Sequence, residues 1–235
     1  MIRCIRTFDP YVQFKDKKIA IIGPADSAFE NANGEYIDSF DFVIRINKAP
    51  HSWTDEKSKY LGTKSDILFH SFYENSISGG GVLDIDLYKA MGIRFLINPR
   101  TTFSSYRRTF NFFRKYLKKQ KVYHLPVTFY KEMQKPFGSD RPTVGFAALF
   151  SALRSECELV FISGFTFFRT PYASGYRDHL RDMERNLEHI KEQGVHDIQL
   201  EYELFKKNVE NTRCRKVVFD HKLEKIIETD YETVH

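Results

Sequence analysis

Cysteine is scarce in this 235-residue chain: Cys4, Cys157 and Cys214 are the three present, and they stand far apart. That count excludes a disulfide-stapled small fold and a zinc site recognisable by ligand spacing, and a reducing cytoplasm is the expected setting. No run of about 18 apolar residues occurs, so no membrane-spanning helix is expected. Met1 to Asp9 carries charge without the apolar core of a signal peptide, and any membrane contact is expected to be peripheral. Internal repeats, low-complexity tracts and linkers rich in Pro, Gly or Ser are also missing, which leaves one domain over residues 1–235. A concentrated charge of one sign is missing too. The net charge of +5 suits an acidic ligand or an anionic surface without specifying nucleic acid. The basic stretches Lys115 to Lys121 and Arg213 to Lys216 read as solvated faces, so no nucleic-acid partner is expected. What the chain does have is a hydrophobic content of 42% with 22 Phe, enough to exclude disorder and fill a core.

Its apolar runs are short and punctuated. Ile19 to Ile22 follows Lys17 and Lys18 and stops at Gly23 and Pro24, the pattern of a buried strand. Asp41 to Asn47, Ser65 to Phe69, Arg94 to Ile97 and Leu159 to Ser163 read as further strands, the last closed by Gly164. Between them, Phe103 to Lys119 carries Phe110, Phe113 and Leu117 at helical spacing, with Lys and Arg opposite. Phe146 to Leu153 is an apolar helix, and His179 to Gln193 a polar one stopped by Gly194. Strands alternating with helices predict an α/β domain with a mostly parallel central sheet covered by helices on both faces. Ligands of such sheets gather beyond the carboxyl ends of the strands, here after Ile22, Ile46 and Ser163.

Three stretches carry chemistry. In Lys18 to Pro50, a glycine-containing turn follows the first buried run, although the G-x-G-x-x-G spacing of a dinucleotide site is absent. Asp38, Asp41, Arg45 and Asn47 then surround a strand. Arg45 shares a strand face with Val43 and Asn47, where a charge needs a partner or a ligand; it is either a brace paired with Asp38 or Asp41 or a binding group. Pro142 to Phe165 places the small, hydroxyl-bearing turn Thr143-Val144-Gly145 at the N-terminus of an apolar helix, where free amides and the helix dipole suit an anion. His179 is followed five residues later by Glu184. His70, Tyr73 and Trp53 are secondary candidates for the acceptor side. Asp84-Ile85-Asp86 has the letters of a metal-binding D-x-D but sits at a helix start, where a capping role is expected, and no metal site is predicted.

Together these stretches resemble the large, small and very small motifs of glycosyltransferase family 29, the animal-type sialyltransferases. The large motif is matched by Ile37, Asp38, Asp41, Arg45, Asn47, Ala49 and Pro50. The small motif is matched by the Thr143 to Gly145 turn, Cys157 and the Gly164-Phe165 pair, and the very small motif by His179 and Glu184. The resemblance implies a single Rossmann-like GT-A variant domain. It implies a donor substrate, CMP-sialic acid, and no cofactor, with a glycan or glycolipid as acceptor. His179 would be the catalytic base of an inverting transfer. Ser27, Asn47, Thr143, Val144, Gly145 and Gly164 would hold the nucleotide, with Tyr172 or Tyr176 replacing the family's His-Tyr segment. A nucleoside monophosphate leaving group needs less charge neutralisation than a diphosphate, so metal independence is expected.

The chain also departs from the family pattern. Lys18 or Ile19 stands where secretory members have the cysteine that pairs with the equivalent of Cys157, so that disulfide cannot form. Val144 and Pro24 replace polar residues of the donor turns, which leaves CMP-Kdo as an alternative donor. A non-catalytic CMP- or glycan-binding module and an S-adenosylmethionine-dependent methyltransferase are the readings from other classes.

Overall fold

The computed structural model describes residues 4–75, 79–116 and 120–232. Its centre is a parallel sheet of eight strands: β1 (Ile5–Thr7), β2 (Lys18–Ile22), β3 (Phe42–Ile46), β4 (Ile67–Phe69), β5 (Phe95–Asn98), β6 (Val122–His124), β7 (Leu159–Ser163) and β8 (Val217–Phe219). Their spatial order is β1-β6-β5-β4-β3-β2-β7-β8, and every pairing is parallel. Successive side chains along a strand point to opposite faces. One core cluster accordingly takes Ile19, Ile21, Ile44, Ile46, Val160 and Ile162, while another takes Ala20, Ile22, Val43 and Phe161. Helix Val144–Leu153 belongs to the first face, and Phe112 and Phe113 of helix Phe103–Lys115 pack with Leu68 and Leu96 on the second side. Both faces are thus covered, as a parallel sheet requires.

The central strands are the apolar runs of the sequence; the edge strands differ. β1, β6 and β8 have three residues each and were not evident as apolar runs. The basic helix ends at Lys115, and the sequence-predicted continuation through Leu117 and Lys119 falls outside the described residues. The expected helix from His179 divides in two: a one-turn segment Asp178–Leu180, then Met183–Gln193, whose first turn is capped by Asp182 accepting from Arg185 N at 2.9 Å. Gly194 closes that helix in the left-handed conformation, φ 56°. Asp84 accepts from Asp86 N and Leu87 N, so the Asp84-Ile85-Asp86 triplet does cap a helix.

Cys157 and Cys214 are both buried free thiols of the same core cluster. The backbone N–H of Arg215 donates to the Cys157 carbonyl at 3.0 Å, which brings the neighbouring thiols side by side. No described helix is long and apolar enough to cross a membrane.

Candidate functional site

The strand order reverses direction at β2. From β2 the chain builds outward through β3, β4, β5 and β6, then returns to lay β7 on the other side of β2. A crevice at such a reversal is where open parallel sheets bind ligands, because the loops on either side diverge. Two glycines hold this one. A Cβ on Gly23 would lie 2.3 Å from the Gly164 carbonyl oxygen, and a Cβ on Gly164, at φ +74°, would lie 2.6 Å from that of Gly23. The β2 and β7 ends are therefore locked against each other, and a cavity of about 380 Å³ opens beyond them.

Asn47, Thr143, Val144, Gly145, Gly164 and Tyr176 all line this cavity, although they come from widely separated parts of the chain. Asn47 follows β3 at φ 52°, a left-handed conformation that Asn tolerates better than most residues. Its Oδ1 accepts from Ser71 N at 3.0 Å, tying the β3 end to the β4 end. Thr143 caps helix Val144–Leu153, its hydroxyl accepting from Phe146 N at 3.0 Å. Both its N–H and its hydroxyl donate to Glu201, at 2.8 and 2.6 Å. Tyr176 is buried, stacks near Tyr172 with ring centroids 5.4 Å apart, and has the Lys48 ammonium 5.4 Å from its ring. Burial raises the pKa of both phenols, so they remain hydrogen-bond donors at neutral pH.

Two predicted residues lie elsewhere. Ser27 does not line the cavity. It is buried beneath the β2 and β7 ends, 3.3 Å from Asp220, whose carboxylate also accepts from Ser163 Oγ and Gly164 N. This carboxylate draws the serine inward to fix the β7 turn. His179 is exposed and stands outside the lining. Its pKa is lowered by partial desolvation and by Arg177, Lys48, His189 and Arg185. Arg177 and His189, two of the groups that lower it, line the cavity, so the imidazole lies within electrostatic range of the lining.

The acidic and basic residues of the large motif build the platform. Asp38 accepts from Thr63 N and Lys64 N, and Asp41 from Lys18 N. Arg45 donates to Ser65 Oγ at 3.2 Å and to the Leu61 and Lys64 carbonyls at 2.6 and 2.8 Å. It is a brace. Desolvation lowers its pKa to about 10 despite the nearby Asp38 and Asp66 carboxylates, so it stays charged. His70 is fully buried, with Nε2 on the Gly80 carbonyl and Nδ1 accepting from Phe72 N, and Trp53 donates to the Gly62 carbonyl. Tyr73, by contrast, reaches the cavity.

Sequence reasoning missed Arg100, Arg141, Arg177, His189 and Glu201, all of them lining residues. The lining holds three arginines, Arg100, Arg141 and Arg177, and among the described residues one carboxylate, Glu201, whose pKa burial raises to about 7. Such a cavity favours an anion. The signal for Glu201 was a charge set within the apolar face Ile198, Tyr202 and Phe205 of helix Ile198–Glu210. Among the described residues, no group of three or more His, Cys, Asp or Glu is placed to hold a metal ion.

Comparison with known proteins agrees with this architecture. The fold is shared with a mammalian sialyltransferase, at 18% identity and a TM-score of 0.53, over 86% of this chain and 68% of that one. It is shared also with the sialyltransferase CstII from Campylobacter jejuni, solved in complex with the substrate analogue CMP-3FNeuAc, at 16% identity and a TM-score of 0.51, over 87% of this chain and 80% of that one. No curated protein matches by sequence. A family model, glycosyltransferase family 29 (sialyltransferase), matches residues 13–212, so the chain belongs to this family of CMP-sugar-dependent glycosyltransferases.

Proposed function

We propose that the protein transfers sialic acid from CMP-sialic acid to a hydroxyl of an acceptor glycan, with inversion, without a metal, and with His179 as general base. The observation that supports this most is the meeting of Asn47, the Thr143 to Gly145 turn, Gly164 and Tyr176 in one cation-lined cavity, within electrostatic range of the His179 imidazole.

In this reading the Thr143 to Gly145 turn and Asn47 hold the cytidine and its phosphate. Lys48, Arg177 and the phenols of Tyr172 and Tyr176 surround the departing phosphate. The acceptor oxygen attacks the anomeric carbon as the bond from that carbon to the phosphate oxygen breaks, and the bonding pair leaves on CMP. His179 takes the acceptor proton. A base of this kind contributes about 10²- to 10⁴-fold, and a pKa held below the ordinary histidine value keeps it unprotonated at neutral pH. CMP leaves as a monophosphate stabilised by these cations and phenols, so the chemistry does not require a Lewis acid. Glu201 takes no part in proton transfer here; it orients Thr143.

Turnover of CMP-sialic acid and CMP-Kdo on a panel of acceptors tests the donor, and thermal shift with CMP, UDP and S-adenosylmethionine tests the class. Release of CMP from CMP-sialic acid with a new glycosidic product is expected. Turnover of CMP-Kdo alone would replace the donor, and stabilisation by S-adenosylmethionine without CMP would remove the proposal.

A further inference from the structure

We propose that the acceptor carries an anionic group, a carboxylate, phosphate or sulfate ester, and that Arg100 and Arg141 form its subsite, with Arg108 behind the lining residue Tyr73 adding positive charge. The inference rests on the transfer reaction proposed above and names the substrate class of the same cavity.

Arg100 follows Asn98 and Pro99 at the carboxyl end of β5 and lines the cavity, although it is only 8% exposed. Its backbone is fixed on both sides by buried polar groups. Its N–H donates to Asn98 Oδ1 at 3.4 Å, and its carbonyl accepts from His124 Nδ1 at 2.9 Å. His124 Nε2 then accepts from Thr109 Oγ1 at 3.1 Å, and Thr109 accepts from Asn98 Nδ2 at 3.2 Å, closing the network. The guanidinium held by this frame has no hydrogen-bond or ion-pair partner among the described residues. The groups that act on it most strongly are Tyr130, Tyr73, Arg108 and Arg141, none of them a carboxylate. Arg108 donates to the Tyr73 hydroxyl at 2.9 Å but has a buried Nε–H with no acceptor, and the buried Thr101 hydroxyl beside Arg100 also has none. An arginine buried without a counter-charge is expensive, and the side chain is retained at such a place when a ligand supplies the charge.

The donor does not account for this cluster. In a CMP-linked keto-acid sugar the phosphate oxygen and the carboxylate are both attached to the anomeric carbon, so both anions lie beside the reacting atom. The base must lie there as well. The strongest arginine and lysine charges on His179 are Arg177, Lys48 and Arg185, and the strongest on Arg100 are Arg108 and Arg141. The two sets share no member. With both donor anions assigned to the first, the second is left for the other substrate. The nearby His196 feels both Arg100 and Arg141 together with Asp140, so the cluster reaches the helix Ile198–Glu210 side of the cavity without acquiring a carboxylate partner for Arg100.

The test compares galactosyl acceptors that are matched except for charge: neutral, carboxylated and phosphorylated. Acceptor-independent hydrolysis of CMP-sialic acid is measured in parallel. The expected kcat/KM for an anionic acceptor exceeds that for the neutral one by tenfold or more. In Arg100→Gln this ratio falls toward one, mainly through KM. Arg141→Gln, at an exposed position, lowers the ratio in the same direction and serves if Arg100→Gln does not fold. A ratio near one in the parent enzyme overturns the proposal, as does an Arg100→Gln loss that is equal for all acceptors and for donor hydrolysis, which would give the arginine to the donor. Absence of any CMP-sialic acid turnover would overturn the underlying reaction, and this subsite with it.

Discussion

Two buried arginines of this protein, Arg45 in β3 and Arg100 after β5, teach different things. Arg45 is 3% exposed and gives its donors to Ser65 and to the Leu61 and Lys64 carbonyls, with Asp38 and Asp66 supplying counter-charge. Arg100 is 8% exposed and points its charge at a cavity, with other arginines as its nearest cations. The same side chain is structural where the chain completes its hydrogen bonds and available to a ligand where the chain does not. The contrast extends to the motif residues: Asp38, Asp41 and Arg45 support the loops, and Asn47 reaches the cavity.

The comparison can be broken by substitution. Arg45→Met takes the donor from the part-buried Leu61 and Lys64 carbonyls and from Ser65 Oγ, removes a buried cation near Asp38 while Asp66 keeps its ion pair with Arg94, and is expected to cost about 3 to 5 kcal/mol in denaturant unfolding. A loss under about 1 kcal/mol would mean that Arg45 is no brace. Next in size is Glu201. A carboxyl raised from the ordinary value of 4.5 to about 7 favours the protonated folded state, so stability is highest below the unfolded pKa and declines as pH rises through the folded one. Unfolding at pH 4.5 and pH 8 should show the parent losing about 3 kcal/mol relative to Glu201→Gln over that window. A constant difference between the two proteins would refute the raised pKa. Thr143→Ala removes the helix cap and should cost about 1 kcal/mol. Arg100→Gln should change stability least, by less than about 1 kcal/mol in either direction, since no protein partner is lost. A cost as large as that of Arg45→Met would erase the distinction between the two arginines.

The parts legible in the sequence are those in which one segment carries its own signal. β2, β3 and β7 are buried on both faces and read as apolar runs. β1, β6 and β8 are three residues long, and sequences such as Ile5-Arg6-Thr7 acquire strand geometry only from a neighbour. The same rule divides the site. Asn47, Thr143 to Gly145 and Gly164 were found because motif spacing marks them, Tyr176 as a substitute for an absent His-Tyr segment, and they meet in one cavity. Ser27 carried no local sign that Asp220, 193 residues away, would take its hydroxyl. Arg100 and Glu201 each have a weak mark, a charge after a strand-ending Pro99 and a charge on an apolar helix face, but their meaning depends on segments far along the chain. His179 was identified by its interval to Glu184, while the turn separating it from the following helix was not, because Asp182 rather than His179 caps that helix.

The most direct test of the account is CMP release from CMP-sialic acid in the presence of acceptor, followed for the parent and for His179→Ala with CMP affinity measured on both. The account predicts that kcat falls by 10² or more while CMP binds the two proteins about equally. Undiminished turnover in His179→Ala would contradict it.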